Sequence, residues 1–495
     1  MVRIAVIGGG AAAVSLLHHL LARAGTVGPA MEICIYEPSH LAQGGAFVPD
    51  LDCALINQPN DSMSIRSTEP QHFLDWLADN SAHHSARETR EFSKSYSPRW
   101  VFGDYLRAEY QRCHRDATAL GWKITVHTET VTGISEGSDD AILVHSTENV
   151  RIFTRAVLAV GPGSPADPYR LAGVPGFHPT PYPLLEVLPK IRDPRAHILI
   201  IGTGLTAVDT AVGLLHLGHQ GPITMASRRG ILPEVRAATR KEPLTHLTRE
   251  AIQSHIDSGR SLELADIWKM LRDEISSQGS EPHDTISWFD ERISPSDYLR
   301  HQLTDTWDPV AQSIMMRIDS DLSRVTRSSM SDKALRHIAT TLGPRLRSFQ
   351  APMPPRTART LLGAVDTTQL RLVRGLRNIS HHGQIFTADA ASTVRGAQIV
   401  FDATHTSPAR TKGRSRALID SLQASGLASW DMYDGLRTEE ATGRILLPSG
   451  KAHSRLYAIG EIVAGSAYYA SSLPAVNRGA SAVADATMRR LEVSA

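Results

Sequence analysis

The apolar positions near the N-terminus predict a short strand, a helix and a second short strand. Val2–Ile7 is a mostly β-branched run, and Met31–Tyr36 is a second apolar run. Between them, the glycine cluster Gly8–Gly10 precedes a helical stretch that extends to about Ala24. Apolar runs of this length, without regular polar alternation, are typical of parallel strands that are buried on both faces. The pattern therefore predicts one βαβ unit.

The same order of elements occurs again in the middle of the chain. Ile198–Ile201 is an apolar run, Gly202–Ala207 is rich in small residues, and a helical stretch continues to about Leu217. Another apolar run, Ile223–Ala226, then ends at the sequence Ser-Arg-Arg-Gly. A repeated supersecondary unit of this kind predicts an α/β fold with two Rossmann-like dinucleotide-binding domains.

The remaining segments complete the predicted domain organisation. Helical periodicity and frequent charges over 236–345 predict a helical insertion, and the prolines between 165 and 183 indicate a linker. The predicted domain boundaries assign 1–165 and 396–495 to the first dinucleotide-binding domain, and 190–235 and 346–395 to the second.

Two further runs alternate between apolar and polar residues, which is the pattern of half-buried strands. They are Trp122–Val126 and Ala141–His145, and we predict that they pair with each other as antiparallel neighbours. A last apolar strand is predicted over Arg455–Ile459, and a last helix is predicted from near Pro474 onwards.

Composition excludes several classes of protein. The 495 residues include 52 Lys plus Arg and 51 Asp plus Glu, so bulk charge favours neither nucleic acid nor an anionic membrane as a partner. The three cysteines form no C-x-x-C pair, which disfavours a disulfide scaffold and a dithiol redox centre. Reduced thiols, and apolar runs too short to span a bilayer, predict a cytoplasmic protein.

The first glycine cluster has the chemistry of a pyrophosphate site. It matches G-x-G-x-x-A, in which Gly8 permits the tight turn, Gly10 lets a pyrophosphate approach the backbone, and Ala13 lets helix and strand pack closely. The helix N-terminus offers free N–H groups and a partial positive charge to that anion. Glu37, at the end of the next strand, is placed to accept hydrogen bonds from ribose hydroxyls. We predict FAD at this unit.

The second cluster has the same backbone pattern but a different residue type at the end of the next strand. Gly202, Gly204 and Thr206 form the turn, while Arg228 and Arg229 stand where the first unit has an acid. A guanidinium pairs with a 2′-phosphate, which a carboxylate would repel, so we predict NADPH here. Solvated surface arginines are the alternative interpretation.

Other glycines are candidates for contact with a cofactor. Gly460 and Glu461 end the last predicted strand, where a carboxylate could reach a sugar or ribitol hydroxyl. Gly44 could let the backbone approach the flavin or act as a loop hinge, and Gly161 ends another apolar strand. No histidine spacing matches a known metal motif and no P-loop lysine follows Gly204, so neither a metal site nor ATP hydrolysis is predicted.

The chain resembles the flavoproteins that have two dinucleotide-binding domains. More narrowly, it resembles the bacterial FAD/NAD(P)-binding monooxygenase family that includes the nitrosuccinate-forming aspartate N-monooxygenases. The segments that carry the resemblance are Ile7–Gly10, Ala54–Ser64, Pro98–Leu106 and Ile201–Asp209. The first and last are common to many flavoproteins, and the middle two are more specific.

This resemblance implies an NADPH- and FAD-dependent enzyme that N-hydroxylates a small amine or amino acid with O2, through a C4a-hydroperoxyflavin. It also implies that Asn57 lies near the flavin and that Arg66, Arg99 and Arg347 are candidates for substrate contact. The chain departs from the family pattern around Asn57–Asn60 and around Arg347, which puts the substrate in doubt. Alternatives are a flavin reductase without an organic substrate and a non-catalytic nucleotide-bound redox sensor.

Overall fold

A computed structural model describes most of the chain and divides it into two compact units. Unit 1 comprises 1–52, 58–166 and 406–495, and unit 2 comprises 53–57 and 167–405. The described residues are 2–24, 30–80, 95–138, 141–237, 242–283, 293–304, 307–317, 326, 329–405, 408–431, 435–464 and 472–492. None of the described helices is long and apolar enough to cross a membrane.

The main sheet of unit 1 has the strand order β16-β17-β18-β7-β1-β2-β3 over the described residues. Strands β3, β2, β1, β7 and β18 run parallel to their neighbours, and β16 and β17 add an antiparallel edge. The strands are β1 (Val2–Ile7), β2 (Met31–Tyr36), β3 (Lys123–His127), β7 (Arg155–Leu158), β16 (Thr438–Glu439), β17 (Arg444–Leu446) and β18 (Ala452–Ala458).

Helices cover one face of this sheet, where apolar side chains of β1 pack against the helix that follows it. Ala13, Leu16 and Leu20 are buried in the same apolar cluster as Ile4 and Val6. The helices of unit 1 are α1 (Ala11–Ala22), α2 (His72–Asp79), α3 (Arg99–Ala119), α13 (Arg416–Ala424) and α14 (Leu473–Glu492). A smaller antiparallel sheet contains β4 (Val131–Glu136), β5 (Ile142–Ser146) and β6 (Val150–Phe153).

The main sheet of unit 2 has the described order β11-β10-β9-β15-β8, with parallel pairing throughout. The strand order reverses beside β9, which has β10 on one side and β15 on the other. Ligands of open α/β sheets bind at such switch points. The strands are β8 (Phe177–His178), β9 (Ile198–Ile201), β10 (Ile223–Ser227), β11 (Leu370–Arg374) and β15 (Ile399–Asp402). A separate antiparallel sheet holds β12 (Asn378–His382), β13 (Ile385–Asp389) and β14 (Val394–Ala397).

Helices dominate the segment between β10 and β11, and they have an apolar core of their own. Ile252, Ile275, Val310, Ile314 and Phe349 are among its buried members. Among the described residues of unit 2, the helices are α4 (Leu184–Val187), α5 (Leu205–His216), α6 (Arg249–Asp257), α7 (Leu264–Ser277), α8 (Pro295–Gln302), α9 (Val310–Arg317), α10 (Asp332–His337), α11 (Gly343–Gln350) and α12 (Pro355–Asp366).

The structure confirms the α/β class with two Rossmann-like sheets and corrects two finer predictions. The run at Trp122–Val126 does not pair with the run at Ala141–His145, because β3 lies parallel to β2 and β5 lies between β4 and β6. The predicted boundary at 396 also differs, since β15 pairs with β9 in unit 2. In both cases the pairing partner is distant in sequence, and alternation specifies a strand but not its neighbour.

Candidate functional site

The turn after β1 can be built only with glycine at its first position. Gly8 has φ +104°, and its N–H donates a hydrogen bond of 3.0 Å to the carbonyl oxygen of Tyr36. A Cβ at this position would lie 2.4 Å from the carbonyl oxygen of Ala159, just beyond β7. The turn therefore packs against the ends of both neighbouring strands, and a side chain would prevent this contact.

The N-terminus of α1 is left open for an anion. Gly10 is its N-cap residue, with φ −82°, and it has no side chain with which to satisfy the first N–H groups of the helix. A Cβ on Gly10 would have Gly44 Cα as its nearest neighbour, at 3.4 Å. Gly44 is thus brought beside the glycine turn, as a cofactor-binding role requires. The donor set of free N–H groups fits a pyrophosphate.

Glu37 is held at the end of β2, beside this turn. Its Oε2 accepts a hydrogen bond of 3.0 Å from Gly9 N–H, and its Oε1 accepts hydrogen bonds of 3.1 and 3.2 Å from the N–H groups of Ser39 and His40. These backbone donors orient the carboxylate. Oε2 accepts this one hydrogen bond and can accept a further one, so a ribose hydroxyl remains a suitable partner.

The C-terminal part of unit 1 also reaches the turn. Gly460 has φ +80°, and a Cβ built on it would lie 3.7 Å from Ala12 Cβ in the first turn of α1. The side chain of Glu461 is largely buried. Gly161 follows β7, where it is exposed, and a Cβ there would have no neighbour within 4 Å among the described residues. Gly8, Gly10, Gly44 and Gly460 therefore gather around one helix end.

Gln43 is a site candidate that the sequence reasoning missed. Its side chain is only 6% exposed, and its Nε2 has no hydrogen-bond partner in the part of the chain that the structure describes. A buried amide without a partner is costly, so a bound group with an acceptor atom would stabilise it. The only signal in the sequence is its position directly before Gly44.

Helix α3 fixes the loop that carries Gln43 and Gly44. A Cβ on Gly103 would lie 1.9 Å from the carbonyl oxygen of Phe47 and 2.8 Å from Gln43 Nε2. Glycine at this position therefore lets α3 touch the loop backbone. This contact gives a physical role to Gly103 within the family-like segment Pro98–Leu106.

Unit 2 repeats the construction of the glycine turn. Gly202 has φ +116°, donates a hydrogen bond of 2.7 Å to the carbonyl oxygen of Ala226, and would place a Cβ 2.9 Å from the carbonyl oxygen of Ala403. Gly204 is the N-cap of α5, with φ −78°. No described heavy atom lies within 4 Å of a Cβ built on Gly204. Thr206 lies in the first turn of α5 and is half-buried.

The two predicted arginines of unit 2 have different surroundings. Arg228 is exposed at the end of β10. Arg229 is half-buried, and its guanidinium donates to the carbonyl oxygens of Thr340, at 2.8 Å, and of Thr341. Arg228 is therefore the more accessible cation for a phosphate, whereas Arg229 already connects β10 to the helical segment.

The residues suggested by family resemblance belong to both units. Arg66 forms ion pairs with Glu109 and Glu69, at 2.9 and 2.8 Å, so its charge is already compensated. Arg99 begins α3 in unit 1, and Arg347 is exposed on α11 in unit 2. Asn57 is half-buried and belongs to the short segment 53–57, which groups with unit 2.

The described residues contain no group of three or more His, Cys, Asp or Glu side chains that could hold a metal ion.

Residues 5–163 match a family model described as FAD-NAD(P)-binding. This match confirms the prediction that the N-terminal segment is a dinucleotide-binding segment. A search of the curated proteins found no significant match.

Solved structures with the same fold include N-hydroxylating enzymes. An ornithine N-hydroxylase from Kutzneria sp. 744 has a TM-score of 0.54 and 14% identity, over 98% of this chain and 99% of that one. L-lysine 6-monooxygenase from Pseudomonas syringae has a TM-score of 0.55 and 13% identity, over the whole of both chains. Bacillithiol disulfide reductase from Staphylococcus aureus has a TM-score of 0.50 and 12% identity, over 99% of both. The chain therefore shares its fold with these three enzymes.

Proposed function

We propose that this chain is an FAD- and NADPH-dependent monooxygenase that hydroxylates the nitrogen of a small amine or amino acid. The observation that carries the proposal is the pair of glycine-capped helix ends, with Glu37 beside one and Arg228 and Arg229 beside the other. Structural likeness to the ornithine and lysine enzymes, the former solved with FAD, NADP+ and L-ornithine, supports this reaction class.

Each residue of the proposed sites has a binding task. The free N–H groups of α1 and α5 hold one diphosphate each, and Glu37 accepts hydrogen bonds from a ribose of FAD. Arg228 pairs with the 2′-phosphate of NADPH. Bound FAD supplies the chemistry that accepts hydride from NADPH and activates O2 for transfer to the amine. The protein then needs to orient the amine and exclude water, and no acid–base dyad is required.

The experiment that tests the proposal follows NADPH and O2 consumption by the purified full-length protein with a panel of amines and amino acids. The panel should include ornithine, lysine and aspartate. We expect yellow protein, and for one substrate we expect NADPH consumption coupled to a hydroxylamine or a more oxidised nitrogen product. Consumption that never yields an oxidised nitrogen product would contradict the proposal.

A flavin reductase is the second candidate, because the fold also matches the bacillithiol disulfide reductase. The chain has no C-x-x-C pair, so such a reductase would act without a dithiol of that kind. The same assay separates the two functions. A reductase would consume NADPH only when an electron acceptor other than an amine is added, and it would leave every amine unchanged.

Replacing Glu37 with glutamine should weaken FAD binding by about tenfold to a hundredfold. A hydrogen bond to a charged group contributes roughly 1.5–3 kcal/mol, and the neutral amide loses that charge. Flavin content after gel filtration and FAD titration of the apoprotein measure the effect. Glu148→Gln is the matched control, since Glu148 is an exposed acid of the same unit. Equal FAD affinity for both variants would exclude the proposed ribose contact.

Replacing Arg228 with alanine should lower the preference for NADPH over NADH by about tenfold or more, through the loss of one charge-assisted hydrogen bond. The ratio of kcat/KM for the two nucleotides measures this preference. The effect should reside in the KM for NADPH, while flavin content stays at the wild-type level. An unchanged ratio would mean that Arg228 is a solvated surface charge.

A further inference from the structure

Two adjacent histidines of α1 are each in contact with an arginine, which can only donate a hydrogen bond. His18 Nδ1 lies 3.0 Å from Arg112 Nη2 of α3, and His19 Nδ1 lies 3.4 Å from Nη1 of Arg23, at the C-terminal end of α1. A guanidinium has no acceptor atom, so both Nδ1 atoms are unprotonated and accept these hydrogen bonds. The geometry therefore holds both imidazoles in their neutral form.

The surroundings of the two rings also disfavour a positive charge. The ring centroids of His18 and His19 lie 5.2 Å apart, so a charge on one ring would oppose a charge on the other. His19 is only 4% exposed, and its Nε2 has no hydrogen-bond partner in the part of the chain that the structure describes. Burial, and then the neighbours that carry or can carry a positive charge, lower the pKa of each histidine from 6.5 to about 4.

The charged groups that act on the two rings belong to α1, α3, α14 and the segment before α2. The positive groups are Arg23, Arg66 and Arg112, and the negative groups are Glu69, Glu109 and Asp485. Each of these carboxylates forms an ion pair with one of these arginines, at 2.5 to 2.9 Å. Little negative charge is therefore left to stabilise a protonated imidazole.

Protonation of both rings would loosen the packing of α1. A protonated Nδ1 cannot accept the hydrogen bond from Arg112 or Arg23, and each new charge would lie directly beside a guanidinium. The buried face of α1 shares one apolar cluster with α3 and α14. The opposite end of α1 is the glycine-capped N-terminus, whose free N–H groups fit a pyrophosphate. A displacement of α1 would therefore move the donors of that site.

We propose that His18 and His19 form an acid-sensitive switch, which keeps α1 in place while both rings are neutral and releases FAD once both are protonated. The inference rests on the proposed FAD site and adds a regulation of that site. It does not involve the amine substrate.

The direction of the pH effect follows from the lowered pKa values. A histidine whose pKa is lower in the folded state stabilises that state fully above about pH 6.5, and this stability is lost as the pH falls towards about 4. Hydrogen bonds from Arg23 lower the pKa of Asp485. Burial raises the pKa of Glu109, but the hydrogen bond from Arg66 and the charge of Arg112 lower it overall. Both carboxylates therefore stay ionised while the histidines titrate.

The test measures the rate at which the FAD-loaded full-length protein releases its flavin, from the rise in flavin fluorescence after dilution. Release that requires α1 to loosen should accelerate by about tenfold to thirtyfold per histidine between about pH 7.5 and about pH 5, and so by at least about a hundredfold in the wild type. In the double variant with His18→Asn and His19→Asn, the acceleration should stay below about tenfold. Asparagine keeps a neutral acceptor near the position of Nδ1 but cannot be protonated.

Matched variants keep this test decisive. His114→Asn replaces an exposed histidine of α3 in the same unit and should show the acceleration of the wild type. The single variants His18→Asn and His19→Asn should each remove about half of the effect on a logarithmic scale, and they serve if the double variant does not fold. An acceleration in the folded variants equal to that of the wild type would overturn the proposal, as would a wild-type rate that does not change with pH.

The outcomes separate this inference from the proposed function. A protein that releases FAD in acid as expected but oxidises no amine would refute only the monooxygenase activity. Conversely, an active N-hydroxylating enzyme whose flavin release does not depend on His18 and His19 would refute only the switch. Protein that binds no FAD at about pH 7.5 would refute both, because the switch acts on the FAD site.

Discussion

Gly204→Ala should raise the KM for NADPH by about a hundredfold while the protein stays folded and retains its flavin. The protein should stay folded because the added Cβ meets no described protein atom within 4 Å, and because φ at this position, −78°, suits any residue. The methyl group would instead occupy the space that the proposed pyrophosphate needs in order to reach the first N–H groups of α5. Losing about 3 kcal/mol of charge-assisted hydrogen bonding corresponds to roughly a hundredfold in affinity.

Steady-state kinetics with NADPH and calorimetry with NADP+ measure the effect. Gly363→Ala in α12 is the matched control, because a Cβ there also meets no described atom within 4 Å but lies in the middle of a helix. This control should keep the wild-type KM. Should Gly204→Ala bind NADP+ within about threefold of the wild type, the N-terminus of α5 does not hold the diphosphate.

Gly8→Ala should destabilise unit 1 by at least about 3 kcal/mol and abolish FAD retention. A Cβ would lie 2.4 Å from the carbonyl oxygen of Ala159, and φ is +104°. The neighbour is backbone directly after the sheet strand β7, so it cannot move aside as a flexible side chain could. Backbone strain and the clash each contribute roughly 1–3 kcal/mol. At about 2–4 °C per kcal/mol for a unit of this size, the melting temperature of the apoprotein should fall by roughly 6–12 °C.

The variant Gly121→Ala separates the cost of backbone strain at a positive φ from the cost of a steric clash. Gly121 also has a positive φ, +73°, but a Cβ there meets no described atom within 4 Å. Its cost should stay near 1 kcal/mol, as for alanine in a left-handed conformation. Differential scanning fluorimetry of both apoproteins compares them. Similar melting temperatures for the two variants would mean that the turn at Gly8 relaxes to accept a side chain.

The local sequence was sufficient to predict an element wherever the physical constraint on that element acts between neighbouring residues. Apolar runs specify buried strands, and a glycine turn followed by a helix is readable because the turn needs residues without Cβ atoms. Both βαβ units were predicted in this way and are confirmed. The acid after β2 and the arginines after β10 were also visible as residue types at strand ends.

Pairing between distant segments was decided only in the folded chain. The alternation at Trp122–Val126 predicted a strand correctly but gave it the wrong partner, because any strand edge of suitable register can accept it. The same holds for β15, whose pairing with β9 moves the end of unit 2 to 405.

The sequence by itself therefore determined the two βαβ units and the chemical character of each strand end, since periodicity and glycine requirements act over a few neighbouring residues. Only the tertiary structure brought Gly460 to the first turn of α1 and packed α3, at Gly103, against the loop that contains Gln43. It also placed Arg345, with its ion-pair partner Glu234, near the end of β10. These contacts join residues about a hundred or more positions apart or depend on the absence of a single Cβ. Packing of the whole chain selects them, because no local periodicity records which distant surfaces will meet.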